Sequence, residues 1–218
     1  MRAAEAVLEL LYPRKCLLCG ALLNRSETDL CRSCRTQTED YARYGRKIPN
    51  IRSFTAVWYY EDRVRESLLR YKFYNVRCYA PAYARVLAMR IQEELDRPEV
   101  LTWVPVSRLR RMKRGYDQVE LIAKAVGKDL GIPCVRAVRK IRSNRPQSGL
   151  KSAAERRANV LGVYEMKNPQ LIRGKRVLLL DDILTTGATA SECARVILTA
   201  GAEEVLFAAV AAGRNQNE

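Results

Sequence analysis

The segment formed by residues 177–189 constrains the fold of this chain more than any other. It begins with four consecutive apolar residues, the pattern of a strand buried on both faces of a parallel sheet. Asp181 and Asp182 follow, and then a Thr-Thr-Gly-Ala-Thr loop opens a predicted helix. Because ligands of open α/β sheets bind at the carboxyl ends of the strands, the segment predicts a ligand site at the edge of such a sheet.

The residue types of this loop favour a phosphate. Backbone N–H groups at the start of a helix attract an anion, and Gly187 allows a close approach. Hydroxyl donors come from Thr185, Thr186 and Thr189. The loop contains no lysine, so it is not a Walker A motif and suits a monophosphate. The two acids could then accept hydrogen bonds from a vicinal diol such as that of ribose. The alternative is that the acids and threonines only cap a helix.

Hydrophobic patterning predicts strands that alternate with helices, and therefore a mostly parallel sheet flanked by helices. Predicted strands cover residues 53–60, 100–106, 132–138, 162–165, 176–180 and 205–210. Predicted helices cover residues 61–71, 79–95, 116–130 and 188–200, and residues 139–152 form a predicted mobile loop. We assign residues 49–218 to this α/β domain and residues 1–48 to a separate N-terminal module, in which residues 3–12 form an amphipathic helix.

The N-terminal module contains two C-x-x-C pairs separated by eleven residues. Their cysteines are Cys16, Cys19, Cys31 and Cys34. Paired turns of this kind can supply four thiolates to one tetrahedral zinc ion, and four filled positions indicate a structural role. A redox dithiol pair or free thiols are the alternative. The other three cysteines, Cys78, Cys134 and Cys193, are predicted core residues.

A formal net charge of +15 indicates a polyanionic partner, either nucleic acid or a phosphorylated ligand. Two basic stretches, residues 107–114 and 136–157, carry more cations than a small ligand needs, and we therefore predict that they also bind single-stranded DNA. The candidate DNA-binding residues are Arg108, Arg110, Arg111, Lys113, Arg114, Arg142 and Arg145. Tyr71, Phe73, Tyr74 and Tyr79 lie between further cations and could stack on bases, unless they belong to a core.

No apolar run is long enough to span a bilayer, and the N-terminal stretch is too short and too charged for a signal peptide. We therefore expect a soluble cytoplasmic protein.

The layout of residues 177–189 resembles the signature of the type I phosphoribosyltransferases. The resemblance implies their fold and a site for 5-phosphoribosyl-1-pyrophosphate (PRPP) accompanied by Mg²⁺. It implies that Asp181 and Asp182 bind the ribose hydroxyls and, in an active enzyme, are the catalytic residues. It also implies that the loop from Thr185 through Ala188 to Thr189 binds the 5-phosphate.

The whole chain is similar to the competence protein F (ComF) family. The similarity includes the four cysteines, a Val-Pro-Val stretch at 104–106, Arg-Gly-Tyr-Asp-Gln at 114–118, Gln-Ser-Gly-Leu at 147–150 and Arg-Arg-Ala-Asn at 156–159. It implies that Ser107 and Arg108 lie in the pyrophosphate loop. It further implies that residues 139–152 form a lid, whose candidate cations are Arg142, Arg145 and Lys151. Asp117 departs from the asparagine expected there.

This resemblance implies a role in DNA uptake during natural transformation, at the inner face of the membrane and beside a DNA-translocating ATPase. Two other functions remain open at the level of sequence. One is an active phosphoribosyltransferase of nucleotide salvage, and the other is a PRPP-sensing regulator.

Overall fold

The structure is a computed structural model that describes residues 13–42, 46–74, 76–142 and 153–214. The predicted N-terminal helix at residues 3–12 and most of the predicted lid, residues 143–152, lie outside these ranges.

The strands are β1 (Ser53–Tyr59), β2 (Val100–Trp103), β3 (Val138–Lys140), β4 (Tyr164–Met166), β5 (Arg176–Leu184) and β6 (Glu204–Ala212). Four of them form a parallel sheet in the order β1-β6-β5-β2, so the predicted parallel α/β sheet is confirmed. β3 and β4 pair separately as an antiparallel ribbon. In the sheet Leu180 pairs with Trp103 on one side and with Ala208 on the other. The central position of β5 explains its unbroken apolar run.

The helices are α1 (Arg32–Gln37), α2 (Asp62–Phe73), α3 (Ala80–Glu94), α4 (Arg108–Arg114), α5 (Gln118–Leu130), α6 (Ala153–Val160) and α7 (Ala188–Thr199), with 3-10 turns at Arg77–Tyr79 and Pro169–Leu171. Helices α2, α3 and α5 cover one face of the sheet, and α7 and the β3-β4 ribbon cover the other. Because side chains alternate along a strand, Leu178 and Leu180 of β5 contribute to the first core, and Val177 and Leu179 contribute to the second.

The cysteine module, residues 13–42 of the described chain, shares its core with the α/β domain. Leu17 and Leu18, which stand between the first two cysteines, are fully buried in the same cluster as α2 and α3. Ser67 and Arg70 of α2 donate hydrogen bonds to the carbonyl oxygens of Leu17 and Leu18. The module is therefore docked on α2, although its division from the domain at residue 48 stays a prediction.

Several predicted strand boundaries are wrong. β5 continues to Leu184, so the two acids lie inside the strand instead of beyond it. β2 ends at Trp103, two residues before Pro105, which has no N–H to donate to a ladder. Residues 132–137 contain one bridge, between Cys134 and Leu101, because this segment touches only the exposed edge of β2 and includes Pro133.

Three side-chain predictions also need correction. Cys78 is exposed and Cys134 is partly buried, so of the three scattered cysteines only Cys193 lies fully in the core. Tyr71 is fully buried and cannot stack on a base, whereas Phe73 and Tyr74 are exposed.

Within the described ranges, no helix is both long and apolar enough to cross a membrane.

Candidate functional site

A cavity of about 320 Å³ opens at the carboxyl ends of β2 and β5, and we call it the edge cavity. Both predicted acids and three residues of the predicted phosphate loop line it. Its polar lining residues are Tyr60, Lys72, Arg110, Arg114, Gln118, Lys140, Tyr164, Asp181, Asp182, Thr185 and Thr189. These residues lie together because parallel strands bring their carboxyl ends to one edge of the sheet.

Asp181 and Asp182 reach the edge cavity from opposite faces of β5. Asp181 lies on the same face of β5 as Leu179, toward Lys140 and Tyr164 of the β3-β4 ribbon. Asp182 lies on the same face of β5 as Leu180, toward α2 and α5. Its Oδ2 lies 2.9 Å from Lys72 Nζ and accepts a hydrogen bond of 3.1 Å from Gln118 Nε2. The two acids therefore offer one carboxylate to each side of the cavity.

Their surroundings move the pKa values of these acids in opposite directions. Burial and the neighbouring charge of Asp182 raise the pKa of Asp181 well above its ordinary value. Burial also disfavours the charge on Asp182, but Lys72 and the Gln118 amide outweigh this effect and hold the pKa of Asp182 below its ordinary value. The pair therefore combines one firmly ionised carboxylate with one that protonates readily.

The phosphate loop, residues 185–189, leads directly into α7. Gly187 caps the helix with φ of +81°, and an added Cβ would lie 3.1 Å from Ile48, so glycine is required there. Thr186 Oγ1 accepts a hydrogen bond from the N–H of Ala188 at 3.4 Å. Thr185, Gly187 and Thr189 line the edge cavity, whereas Thr186 and Ala188 do not belong to its lining.

Residues that the sequence assigned to the boundary of the N-terminal module support this loop. The Arg46 guanidinium donates hydrogen bonds to the carbonyl oxygens of Thr185 and, at 3.3 Å, Gly213. Ile48 is buried against Gly187. Sequence reasoning missed Arg46, since nothing in its local context indicates a contact 139 residues along the chain.

The predicted cations separate into two groups. Arg110 and Arg114 line the edge cavity, together with Lys72 and Lys140. Ser107 instead caps α4 by accepting a hydrogen bond of 3.3 Å from the N–H of Arg110, and neither it nor Arg108 lines the edge cavity. Arg108 and Arg111 border a neighbouring groove, and Lys113 and Arg142 are exposed. Arg145 and Lys151 lie outside the described residues.

Lys140 is a partly buried cation in the lining of the edge cavity. Burial and repulsion from Arg110 lower its pKa to about 8, although Cys193 and Asp181 oppose the shift. Its Nζ lies 5.5 Å from the centre of the Tyr164 ring. A cation at this position in the lining suits a bound anionic group.

Asp117 stands where the family resemblance led us to expect asparagine, and its hydrogen bonds explain why an acid can occupy this position. Its carboxylate accepts hydrogen bonds from the N–H groups of Val119 and Glu120, both at 3.1 Å, and from that of Val106 at 3.3 Å. It thereby caps α5 and ties it to the segment after β2. Burial raises the pKa of Asp117, and these hydrogen bonds oppose only part of that shift.

The four module cysteines have the geometry of a zinc site. Their sulfur atoms all lie within 4.8 Å of one another, and Sγ of Cys19 is 3.7 Å from Sγ of Cys31. A tetrahedral site with Zn–S distances of about 2.3 Å places its sulfurs about 3.8 Å apart, so the set fits one structural Zn²⁺. Arg63 Nη1 lies 3.5 Å from Cys34 Sγ and offsets part of the thiolate charge.

Comparison with known proteins agrees with both parts of this description. A model of the phosphoribosyl transferase domain matches residues 112–218, which include the phosphate loop. A model of the double zinc ribbon domain matches residues 7–44, which include all four clustered cysteines.

Three curated relatives match most of the chain. Competence protein F of Haemophilus influenzae is 26% identical over 217 residues, which cover 88% of this chain and 93% of that protein. Competence protein ComFC of Bacillus subtilis is 28% identical over 190 residues, covering 85% and 72%. DNA utilization protein YhgH of Escherichia coli is 26% identical over 200 residues, covering 87% and 86%. The chain is therefore similar to competence protein F and ComFC over most of its length, and it combines a phosphoribosyltransferase-type domain with an N-terminal zinc ribbon.

Proposed function

We propose that this protein is a competence-type DNA-handling protein that binds PRPP with Mg²⁺ in the edge cavity and single-stranded DNA on its basic surface. One observation carries the proposal. Two carboxylates, a glycine-containing loop at a helix start and four cations surround one cavity at the carboxyl edge of a parallel sheet. This set matches the three parts of PRPP, which are a ribose diol, a 5-phosphate and a pyrophosphate.

The 5-phosphate is assigned to the phosphate loop. The start of α7 offers backbone N–H groups to an anion, and Thr185 and Thr189 add hydroxyl donors beside Gly187. In this assignment Arg46 and Ile48 do not touch the ligand but hold the loop in place.

The ribose diol is assigned to Asp181 and Asp182. Gln118 is a further candidate, because its buried Oε1 has no hydrogen-bond partner among the described residues while its Nε2 donates to Asp182. A buried acceptor left without a donor is unfavourable, and a ribose hydroxyl would supply that donor. Lys72 would keep Asp182 ionised for this role.

The pyrophosphate is assigned to Arg110, Arg114 and Lys140. Mg²⁺ prefers carboxylate and phosphate oxygens, so Asp181 and the ligand itself could hold it, and the ion would neutralise pyrophosphate charge. Arg114 lies with its guanidinium 4.9 Å from the Phe73 ring, which orients it at the cavity mouth.

The DNA-handling part rests on the relatives and on charge. Relatives over most of the chain are named competence proteins or DNA utilization proteins. The net charge of +15 exceeds what one PRPP requires. A DNA-translocating ATPase partner, and with it a position at the inner face of the membrane, remains part of the same proposal.

Isothermal titration calorimetry of the zinc-loaded protein with PRPP and Mg²⁺, with and without an oligodeoxythymidine, tests the proposal. We expect saturable PRPP binding that Asp181→Asn weakens by about 10- to 100-fold, the value of a charge-assisted hydrogen bond. Absence of PRPP binding at millimolar ligand would contradict it. Release of pyrophosphate with a panel of bases would instead identify a phosphoribosyltransferase of nucleotide salvage, and PRPP binding without turnover or DNA binding would identify a PRPP sensor.

A further inference from the structure

Helix α4 presents its arginines to two separate spaces. Arg110 and Arg114, four residues apart, line the edge cavity. Arg108 and Arg111, three residues apart on another side of the helix, line a second space of about 550 Å³, which we call the arginine groove. The basic run of α4 therefore contributes cations to both spaces.

A separate stretch of the chain forms the opposite side of the arginine groove. Arg136, two residues before β3, and Arg139 of β3 line the groove, and Lys140 lines both the groove and the edge cavity. Five cations from two distant segments thus converge on one concave surface. The fold brings these stretches together, since 24 residues lie between Arg111 and Arg136 in the sequence.

The carboxylates near this groove do not balance its cations. Arg139 pairs with Glu165, and Arg111 lies 3.8 Å from Glu120, which also pairs with Lys124. In the described ranges, no carboxylate lies within ion-pair distance of Arg108 or Arg136. Like charges held together in a concave surface repel one another, and an anionic ligand relieves that repulsion.

The groove also has an apolar part, which indicates what kind of anion fits. Met112 is 71% exposed, and Pro105 and Val106 complete the lining. Guanidinium groups bind phosphate oxygens in pairs, and a thioether makes favourable contacts with aromatic rings. A ligand with phosphates along one side and bases or sugars along the other satisfies both parts, and single-stranded nucleic acid has this character. An acidic peptide offers no planar apolar groups at regular spacing.

We propose that the arginine groove binds the backbone of single-stranded nucleic acid, and that it does so as a site distinct from the PRPP site across the shared wall of Pro105, Val106 and Lys140. The inference deepens the proposed function and rests on its DNA-binding part. It divides the basic residues into DNA ligands, Arg108, Arg111, Arg136 and Arg139, and PRPP ligands, Arg110 and Arg114.

Two double variants that remove the same number of charges test this division. The groove variant is Arg111→Gln with Arg136→Gln, and its matched control is Arg110→Gln with Arg114→Gln. Fluorescence anisotropy with a labelled oligodeoxythymidine at about 0.1 M salt gives DNA affinity, and calorimetry with PRPP and Mg²⁺ gives cavity affinity. Thermal unfolding of both variants establishes that each is folded.

The groove variant should lose at least tenfold in DNA affinity while its PRPP affinity stays within twofold of wild type. The slope of log affinity against log salt should decrease by about 1.4, since each lost phosphate contact on a single strand contributes about 0.7. The control should show the reverse pattern, with weakened PRPP binding and nearly unchanged DNA binding.

Four results would overturn the inference. Equal losses of DNA affinity in both variants would indicate an unspecific charge effect. Wild-type protein that prefers poly-glutamate of equal charge would identify an acidic peptide as the occupant. DNA binding that survives in the groove variant would place the DNA elsewhere and leave the proposed function intact, whereas wild-type protein that binds no DNA would remove the DNA-binding part of the proposed function as well.

Discussion

The cysteine module and the edge cavity both gather polar side chains around one point, but they are assembled in different ways. The four sulfurs come from residues 16–34, and two local turns bring them within 4.8 Å of one another. The polar groups of the edge cavity come from α2, α4, α5, β3, β4, β5 and the phosphate loop. A site made by local turns can be predicted from residue spacing, whereas a site made by many elements depends on the finished fold.

The two regions also differ in how they depend on their ligand. The module has short secondary structure of its own, and its buried residues belong to the cores of the α/β domain. They are Cys16, Leu17, Leu18, Leu30, Cys34 and Tyr41. The edge cavity stands on a sheet that is complete without a ligand. Loss of zinc should therefore destabilise the folded protein, whereas the protein should fold without PRPP.

The largest effect should follow removal of zinc. Cys34→Ser should lower the free energy of unfolding by about 4 kcal/mol or more, because a short metal-held module has little other support and its docking on α2 covers Leu17 and Leu18. Thermal unfolding with and without a chelator, together with measured zinc content, checks this. Cys78→Ser is the matched control, since Cys78 is exposed and outside the cluster, and it should retain one zinc and wild-type stability.

Asp182→Asn should have the next largest effect. It removes the partner of Lys72, whose side chain is only 15% exposed, and should cost about 3 kcal/mol by leaving an unpaired, largely buried cation. Because the folded-state pKa of Asp182 is lowered, its stabilising contribution is present above the unfolded pKa and is lost as pH falls through the folded pKa. Urea unfolding at pH 7 and near pH 3 should therefore show a difference that shrinks in acid. An equal cost at both pH values would mean that the ion pair is not its source.

Lys140 should make PRPP affinity depend on pH. With its pKa lowered to about 8, it is charged below that value and neutral above it, so affinity should fall by up to about tenfold between pH 8 and pH 9. Lys140→Arg keeps the charge and should flatten this profile. Calorimetry at several pH values measures both proteins, and identical profiles would show that another group controls the dependence.

Asp181→Asn should give the smallest change in stability, and in the opposite direction to Asp182→Asn. A raised folded-state pKa means that the charged form destabilises the folded protein once pH exceeds the unfolded pKa, so stability falls as pH rises toward the folded pKa. The amide should therefore stabilise the PRPP-free protein by about 1 kcal/mol at pH 7 while weakening PRPP binding. If Asp181→Asn instead destabilised the protein, this would contradict the assignment of Asp181 as a ligand-binding group whose charge is unfavourable in the absence of its ligand.

The sequence was sufficient to predict the parallel sheet, the phosphate loop as a helix start, and the clustered cysteines, because each depends on local pattern. It did not predict Lys72 or Gln118 as partners of Asp182, since α2 and α5 meet β5 only after folding. It also failed to divide the arginines of α4 between two spaces, because the direction of each side chain depends on where the helix packs. The predicted strand at 132–138 was wrong because the segment lies at the edge of the sheet and contains Pro133, and both limit its pairing. Residue types alone do not show that the segment lies at an edge.

Direct observation of PRPP and Mg²⁺ bound to the zinc-loaded protein, in a crystal structure, tests the central claim. We predict the 5-phosphate at the start of α7 beside Gly187, the ribose hydroxyls against Asp181 and Asp182, and the pyrophosphate toward Arg110, Arg114 and Lys140. A ligand bound elsewhere, or a phosphate loop that remains empty at saturating PRPP, would contradict the account.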